Sequence, residues 1–263
     1  MSKLIVLVTT MHQTGLEKYR QMNLQTDAVI ANQTDRDEIL SAQIDGHSVQ
    51  LVSTSTRGVS RNRNIALAHA NQQAEYILFS DDDLVFNVGY ESLILSEFEK
   101  HPEAEAIKFN LHDLSAERKI SMGRIQKFER ATRRNMSSSG VWGLVIRADV
   151  IRKHNLRFHE RFGPGSEYYC GEDTIFLMRL LDYGIRLYRS PVDIAGIDQT
   201  ESSWFRGFDE TYFITTGRVF QEIYPGLSYL LAVRSACKFS RRKNCSMSFE
   251  KILKCYLHGI RSK

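Results

Sequence analysis

Three consecutive aspartates, Asp81–Asp83, are the residues best suited to chemistry in this chain. They follow the apolar run Tyr76–Phe79, which has the composition of a buried strand. Adjacent like charges repel one another, at a cost that a bound cation would remove. Side chains alternate along an extended chain, so Asp81 and Asp83 are predicted to point to one side and Asp82 to the other. Two carboxylates on one side suit Mn²⁺ or Mg²⁺; a solvated turn is the alternative.

Arginines cluster where a predicted helix, Ser60–Ala70, begins. The segment is Arg57-Gly58-Val59-Ser60-Arg61-Asn62-Arg63-Asn64. Cations at this end oppose the helix dipole, which favours anions there. A bound phosphate would resolve the conflict, because helix N–H groups and arginines can hold it together. Pairing of these arginines with surface acids is the alternative.

A second acidic pair, Glu172 and Asp173, opens a predicted helix that begins after Gly171 and runs to Tyr183. Acids in a first turn are common helix caps, because they complement the dipole. They could equally supply a general base that deprotonates an acceptor hydroxyl. The preceding loop, Phe162-Gly163-Pro164-Gly165-Ser166, is flexible enough to admit a substrate. The residues themselves leave both interpretations open.

Predicted strands and helices alternate through the first half of the chain. The strands are Leu4–Val8, Ala28–Ala31, Val49–Val52 and Tyr76–Phe79, and the helices are near 15–24, 60–70 and 90–100, with Asn87 as the last one's N-cap. This order predicts an α/β fold with a mostly parallel sheet flanked by helices. Ligands bind outside the carboxyl ends of such strands. That rule selects the loops at Thr9, Asp35 and Asp81.

The second half is less regular and ends in helices. Predicted strands lie at Val141–Ile146 and Ile185–Tyr188, with helices at 148–154 and 171–183 and Gly184 as a C-cap. Three more helices are predicted at 209–222, 227–239 and 247–260, after a boundary near residue 208. We therefore predict two regions, 1–208 and a basic helical C-terminal extension, 209–263.

Positive charge is concentrated at the C-terminus. Residues 231–263 carry nine Lys or Arg and one acid, although the whole chain has a net charge of only +4. Within this stretch, Phe249, Ile252, Tyr256 and Ile260 recur at helical spacing opposite Lys251 and Lys254. That pattern fits peripheral contact with an anionic membrane. It fits a helix packed on its own domain as well. Nucleic acid is not favoured, since no motif for it is present.

Bulk composition excludes several other classes. The hydrophobic and charged fractions, 42% and 25%, are those of an ordinary globular protein. No apolar run approaches the roughly 20 residues of a membrane span, and the N-terminus lacks a cleavable leader, so a cytoplasmic protein is expected. The four cysteines form no C-x-x-C pair, which argues against a zinc or redox motif.

In order and spacing, these motifs resemble those of family 2 glycosyltransferases of the GT-A fold, especially bacterial enzymes that assemble surface polysaccharides. The resemblance covers roughly residues 3 to 206. It rests on Asp35 in its polar turn, the arginine segment, Ser80-Asp81-Asp82-Asp83, the glycine-rich loop and Gly171-Glu172-Asp173.

The resemblance implies an inverting transfer from a nucleoside-diphosphate sugar, usually a UDP-sugar, to a saccharide or lipid-linked saccharide. Asp173 would be the base, with Glu172 positioning the acceptor. The nucleobase of the donor would contact Asp35, and its ribose would contact Asp81. Thr9, Asp82, Arg57 and Arg61 would lie near the donor. Asp83, together with Asp81, would hold Mn²⁺ or Mg²⁺.

One departure concerns the end of the catalytic region. Many relatives carry a histidine there as a further metal or phosphate contact, and Ile197–Trp204 has none. Asp198 could substitute for it. Trp204 could cover the donor or stack on an acceptor sugar, and a core tryptophan is the alternative. Gly165 is a further candidate contact for the acceptor.

Two other functions share some of these features. A sugar nucleotidyltransferase would share the nucleotide site and metal, but it needs a glycine-rich basic loop after strand 1, where Thr9-Thr10-Met11-His12-Gln13 stands. A binding module without catalysis would have a dispensable Asp173.

Overall fold

The computed structural model describes residues 2–71, 73–114, 124–197 and 207–262. The strands found there are β1 (Leu4–Met11), β2 (Asp27–Gln33), β3 (Glu38–Ile44), β4 (His47–Thr54), β5 (Tyr76–Asp81), β6 (Leu84–Phe86), β7 (Ala106–Asp113), β8 (Glu129–Arg130), β9 (Leu144–Arg147) and β10 (Leu187–Ile197). The helices are α1 (Glu17–Gln21), α2 (Val59–His69), α3 (Tyr90–Lys100), α4 (Arg133–Met136), α5 (Ala148–His154), α6 (Glu172–Asp182), α7 (Glu210–Ile223), α8 (Ser228–Phe239) and α9 (Phe249–Arg261).

All ten strands join one sheet in the order β3-β4-β2-β1-β5-β9-β7-β10-β6, with β8 paired to β10. β1 lies between β2 and β5 and is parallel to both. β9 runs antiparallel between β5 and β7, while β10 is parallel to β7. Strands β4, β2, β1, β5, β7 and β10 therefore all point one way. The predicted α/β fold with a mostly parallel sheet is confirmed.

Both faces of the sheet are buried, which explains the nearly continuous apolar runs of its central strands. Ile5 and Leu7 of β1 pack on one side with α6 residues such as Phe176. Val6 and Val8 pack on the other side with α3 residues such as Phe98. A strand covered by helices on both faces gains from apolar residues at every position, and its polar residues are left for its end.

Several elements differ from those predicted. β3 and β7 are additional strands; β3 is an edge strand with alternating exposure, and β7 is buried in the middle of the sheet. The central strands also continue into polar residues, because backbone pairing extends to Met11 with Gln33. The prediction of Asn87 as the N-cap of the helix at 90–100 was wrong. α3 begins after Gly89, in the left-handed region, and the Asn87 amide instead donates to the Asp193 carbonyl.

The three C-terminal helices pack around their own apolar cluster. Phe213 of α7, Ala232 of α8 and Ile252 and Tyr256 of α9 are all buried in it. The apolar face of α9 is therefore covered by α7 and α8, as in the alternative of a helix packed on its own domain. None of the helices in the described parts of the chain combines the length and apolar composition needed to cross a bilayer. The division of the chain at residue 208 stays a prediction.

Close approach of α7 and α9 depends on Gly259. A Cβ at this position would collide with the carbonyl oxygen of Ile214 on α7. We expect Gly259→Ala to lower the free energy of unfolding by about 1–3 kcal/mol, because overpacking outweighs the better helix propensity of alanine. Urea unfolding followed by circular dichroism measures the change. Gly226→Ala is the control, since no heavy atom lies within 4 Å of a Cβ there. Equal stability of both variants would contradict the close packing.

Candidate active site

A cavity of about 1370 Å³ opens at the carboxyl ends of β1 and β5. Its floor contains Thr9, Thr10, Asp81 and Asp82. The walls come from four parts of the chain: Arg57, Val59 and Arg63 at α2; Ser137–Gly140 and Trp142; Pro164–Gly165 and Tyr169–Thr174; and Tyr212, Thr216, Val219, Phe220, Ile223 and Tyr224. The rule that ligands bind at strand ends thus predicted this position. Residues on both sides of position 208 line it.

The aspartates are held by the pairing of β1 with β5. Thr9 stands opposite Asp81 in the parallel register, and its hydroxyl donates to Asp81 Oδ1 at 3.1 Å. Thr10 donates in the same way to Asp82 Oδ2 at 2.5 Å. β5 ends at Asp81, and Asp82 and Asp83 form the turn into β6. The predicted alternation was wrong because the chain is not extended here: Asp81 and Asp82 line the cavity, whereas Asp83 is exposed.

Arg63 connects the floor of the cavity to its wall. Its side chain is only 5% exposed. One nitrogen, Nη2, donates to Asp81 Oδ1 at 3.0 Å, and the other, Nη1, donates to Asp173 Oδ1 at 2.6 Å. Glu172 Oε1 lies 3.8 Å from Nη1. Because the guanidinium is a rigid planar fork, it fixes the carboxylate at the end of β5 relative to the one at the start of α6.

Sequence reasoning missed Arg63 and selected its neighbours. Arg61 lies on the solvent side of α2 and pairs with Glu160 at 3.2 Å, as in the alternative of pairing with surface acids. Arg57 does line the cavity, and its Nη1 donates to the Thr34 carbonyl at 2.6 Å. A signal for Arg63 was present. It stands three residues before the buried Ala66, on the inward face of the helix, where a cation requires a partner.

Two glycines bring the loop and α6 close to the rest of the site. Gly171 caps α6 with φ +101°, and a Cβ on it would collide with Val219 of α7. Gly163 has φ +105°, and a Cβ there would lie 2.5 Å from Val59 and 3.1 Å from the Glu172 carboxyl carbon. Only glycine tolerates both this backbone conformation and this crowding. The loop is therefore packed between α2 and α6.

The acidic pair of α6 is withdrawn from water. Asp173 Oδ2 accepts the Val141 N–H at 3.2 Å, which holds the carboxyl in one orientation. Burial raises the pKa of Asp173, although Arg63 opposes the shift. Burial also raises the pKa of Glu172, to about 8, and the charge of Asp173 adds to this effect. Asp81, Glu172 and Asp173 thus surround one guanidinium, and burial favours the protonated form of the two acids on α6.

Lys108 supplies a second cation behind the site. Its ammonium group lies 3.6 Å from the centre of the Trp142 ring and donates to the Trp142 carbonyl. Burial lowers the pKa of Lys108 to about 7, against the opposing charges of Asp173 and Asp81. Trp142 itself lines the cavity. Lys108 thus holds the backbone and ring of a wall residue in place.

The remaining predicted site residues are dispersed. Asp35 is exposed and lies outside the cavity wall, where its hydrogen bond from the Thr34 hydroxyl lowers its pKa. Gln33, the last residue of β2, lines the cavity instead, and its side-chain oxygen accepts the Gly58 N–H at 2.8 Å. Gly165 also lines the cavity. Asp198 and Trp204 lie outside the described residues.

The carboxylate oxygens that face the cavity suit a divalent cation that also binds substrate. Among the described residues, no group of three or more His, Cys, Asp or Glu forms a metal cage. Mg²⁺ usually takes only one or two protein carboxylates and completes its shell with phosphate oxygens and water. Asp81 and Asp82, side by side on the cavity floor, match that arrangement. The excess of carboxylates over cations favours a positive ion there.

Comparison with known proteins agrees with the resemblance found in the motifs. Residues 28–153 match the family Glycosyl transferase family 2. No curated protein sequence matches the chain. The matched segment includes the arginine segment at the start of α2, the aspartates at the end of β5 and Lys108. It ends before Glu172 and Asp173.

Solved structures extend the match to almost the whole chain. S. aureus TarS 1–349 in complex with UDP-GlcNAc superimposes with a TM-score of 0.59 at 15% identity, covering 98% of this chain and 72% of that one. Another S. aureus TarS structure gives 0.61 at 14% identity, covering 92% and 44%. These likenesses show that the chain has the GT-A fold of such glycosyltransferases. The resemblance of the chain to family 2 glycosyltransferases is confirmed.

Removal of Arg63 should destabilise the fold, because three acidic side chains would lose their cation. We expect Arg63→Met to lower the free energy of unfolding by about 3–5 kcal/mol at neutral pH, because buried charges lose their partner. The deficit should shrink on acidification, since protonation of the carboxylates removes their repulsion. Denaturant unfolding at pH 5 and pH 8 measures both effects. Arg61→Met, on the exposed side of the same helix, is the control, and equal losses in the two variants would contradict this role of Arg63.

The raised pKa of Glu172 predicts a second pH dependence. Its folded-state pKa of about 8 exceeds the ordinary 4.5, so its contribution to stability is complete below about pH 4.5 and is lost as the pH rises to 8. Glu172→Gln cannot titrate. We expect this variant to gain stability relative to the unmodified protein across that window, in unfolding experiments with EDTA present. Glu99→Gln, at an exposed position, should show no such trend. A difference that does not change with pH would refute the shift.

Proposed function

We propose that this protein is an inverting glycosyltransferase that moves a sugar from a nucleoside-diphosphate sugar to an acceptor hydroxyl. The observation that carries the proposal is the Arg63 fork. It sets Asp81, at the strand end where a donor would bind, at a fixed position relative to Asp173, which faces the same cavity. A donor-side carboxylate and a base are the two groups that this reaction needs in register.

The donor would lie over the ends of β1 and β5. Thr9, Asp81 and Asp82 form the floor there, and Arg57 and Gln33 form the adjacent wall. Arg57 would offset the negative charge of a diphosphate, together with the N-terminus of α2. UDP is our preferred nucleotide, in line with the resemblance and with the TarS structure solved with UDP-GlcNAc. Asp35 would contact the nucleobase of the donor only from outside the cavity wall.

Asp173 would act as the general base. Its carboxylate takes the proton of the acceptor hydroxyl as that oxygen bonds to the anomeric carbon of the donor. The bond from this carbon to the diphosphate oxygen breaks, and the nucleoside diphosphate leaves with the bonding electrons. Attack from the opposite face of the sugar inverts the anomeric centre. The raised pKa of Asp173 favours proton uptake, and the Val141 N–H and Arg63 hold the carboxylate still.

Mn²⁺ or Mg²⁺ would be held by the aspartate motif. Asp81 and Asp82 face the cavity, and Asp83 and Asp198 are the further ligands proposed from the sequence. When bound, the ion would act as a Lewis acid that stabilises the negative charge developing on the leaving diphosphate. The protein's own contribution is the placement of these oxygens by Thr9 and Thr10.

The acceptor would occupy the side of the cavity lined by α7. Tyr212, Val219, Phe220, Ile223 and Tyr224 make this wall aromatic and apolar, which suits the faces of sugar rings or a lipid-linked saccharide. Gly165 and Glu172 border it, and Trp204 is proposed as a further contact. We retain the proposal of a catalytic region 1–208 and an extension 209–263, with the extension closing the acceptor side. We also propose cytoplasmic action beside a membrane.

The role of Asp173 as the base can be tested before the acceptor is known, because water can take the place of the acceptor. We expect the protein to bind one sugar among UDP-, GDP- and dTDP-linked donors and to hydrolyse it slowly with Mn²⁺ or Mg²⁺ present. Asp173→Asn should lower the hydrolysis rate by about 10²–10⁴ while donor affinity stays within a few fold. Calorimetry measures the binding, and release of the nucleoside diphosphate measures the rate.

Three controls make this result decisive. Asp149→Asn, an exposed change, should leave the rate unaltered. EDTA and Asp81→Asn should both reduce turnover if the aspartate motif holds the ion. Release of pyrophosphate from a nucleoside triphosphate and a sugar phosphate would instead indicate a nucleotidyltransferase. Tight donor binding with an unchanged rate in Asp173→Asn would favour a binding module or a different base.

A further inference from the structure

The outer face of α8 is an exposed apolar surface, although the sequence pattern had pointed to α9. Eleven large apolar side chains are exposed in the described residues, and four of them fall within seven positions: Leu227, Tyr229, Leu230 and Val233. Their exposed fractions run from 43% to 65%. Scattered exposed apolar residues need no explanation, but a cluster of this kind marks an interaction surface.

Positive charge continues the same surface toward the end of α8. Between Pro225 and Ser248 the chain has five cations, Arg234, Lys238, Arg241, Arg242 and Lys243, and no acid. In the described part of the chain, none of the five forms an ion pair, although Arg242 packs over the Phe239 ring. Arg234 and Lys238 belong to α8, whereas Arg241, Arg242 and Lys243 follow its end at Phe239. With about 3.6 residues per turn, Leu227, Leu230 and Arg234 lie along one side of the helix.

α9 offers no comparable surface. Its apolar side is covered, with Ile252 and Tyr256 fully buried against α7 and α8. On its polar side, Lys251 pairs with Glu210 at 2.6 Å. In the basic C-terminal stretch, the exposed apolar side chains therefore lie on α8 and not on α9.

We propose that the outer face of α8 docks on an anionic phospholipid surface, with Leu227, Tyr229, Leu230 and Val233 entering the interface and the five cations facing lipid headgroups. An apolar cluster followed by unpaired cations, on one helix and in the turn after it, is the arrangement that such a surface selects. A second copy of the chain is a poorer occupant, because an isologous contact would bring the same cations together. Nucleic acid would leave the apolar cluster without a role.

Docking in this way would orient the cavity. Ile223 and Tyr224 line it, and the Leu227 N–H bonds to the Tyr224 carbonyl at 2.9 Å, so the apolar surface begins next to the α7 wall. Here the inference rests on the proposed function: a lipid-linked acceptor would meet the cavity from the membrane side. The docking itself is independent of catalysis.

Vesicle flotation tests the surface on the full chain. We expect the protein to float with vesicles containing phosphatidylglycerol and far less with vesicles of phosphatidylcholine alone. Arg234→Gln/Lys238→Gln/Arg241→Gln should weaken binding to the anionic vesicles by more than about tenfold, since each cation near the surface contributes. Leu227→Ser/Leu230→Ser should also release the protein, and the remaining binding should fall with added salt.

The matched control lies on the neighbouring helix. Lys251→Gln/Lys254→Gln/Arg261→Gln removes the same charge from α9 and should leave flotation intact, as should Val88→Ser, an exposed apolar change on another part of the surface. Circular dichroism should show all variants folded. No flotation, equal flotation of the α8 variants, or loss only in the α9 variant would overturn the proposal. So would a dimer in light scattering that the α8 variants abolish. Donor hydrolysis, measured without vesicles, reports on the proposed function separately.

Discussion

A single buried guanidinium among three carboxylates is the interaction on which the site depends. Burying a charge is costly unless its partners are close and well oriented, and Arg63 meets that condition through its two nitrogens, one to Asp81 and one to Asp173. The same contacts hold α2, β5 and α6 in one arrangement around the cavity. The acidic groups around Arg63 outnumber it, which supports the proposed cation site at the aspartate motif. The same few atoms thus serve a structural ion pair and the proposed function.

The sheet makes this arrangement possible by ending several strands at one edge. β1 and β5 are adjacent and parallel, so Thr9 and Thr10 stand beside Asp81 and Asp82 and hold them through hydroxyl groups. Apolar residues fill both faces of these strands up to that edge. Polar groups are therefore confined to the positions where the backbone leaves the core. This confinement concentrates the chemistry without weakening the packing beneath it.

The C-terminal helices serve the site from the other side. α7 provides the aromatic wall, and Gly171 and Gly163 allow α6 and the adjoining loop to approach it and α2 closely. α9 fixes α7 through packing that leaves no room for a side chain at Gly259. α8 then carries the only part of this bundle, among the described residues, in which large apolar side chains face outward. The proposed acceptor wall and the proposed docking surface thus lie on neighbouring helices.

The sequence by itself determined the alternation of strands and helices, the position of the aspartates at a strand end and the acids at the start of α6. These features follow from local periodicity and from residue types, which a single chain displays directly. Only the tertiary structure decided that Arg63 rather than Arg61 enters the site, since its partner Asp173 lies 110 residues away. It also decided that Asp82, not Asp83, faces the cavity, because a turn replaced the extended chain that alternation assumes. The amphipathic face of α9 was visible in the sequence, but what covers that face depends on helices brought together by the fold.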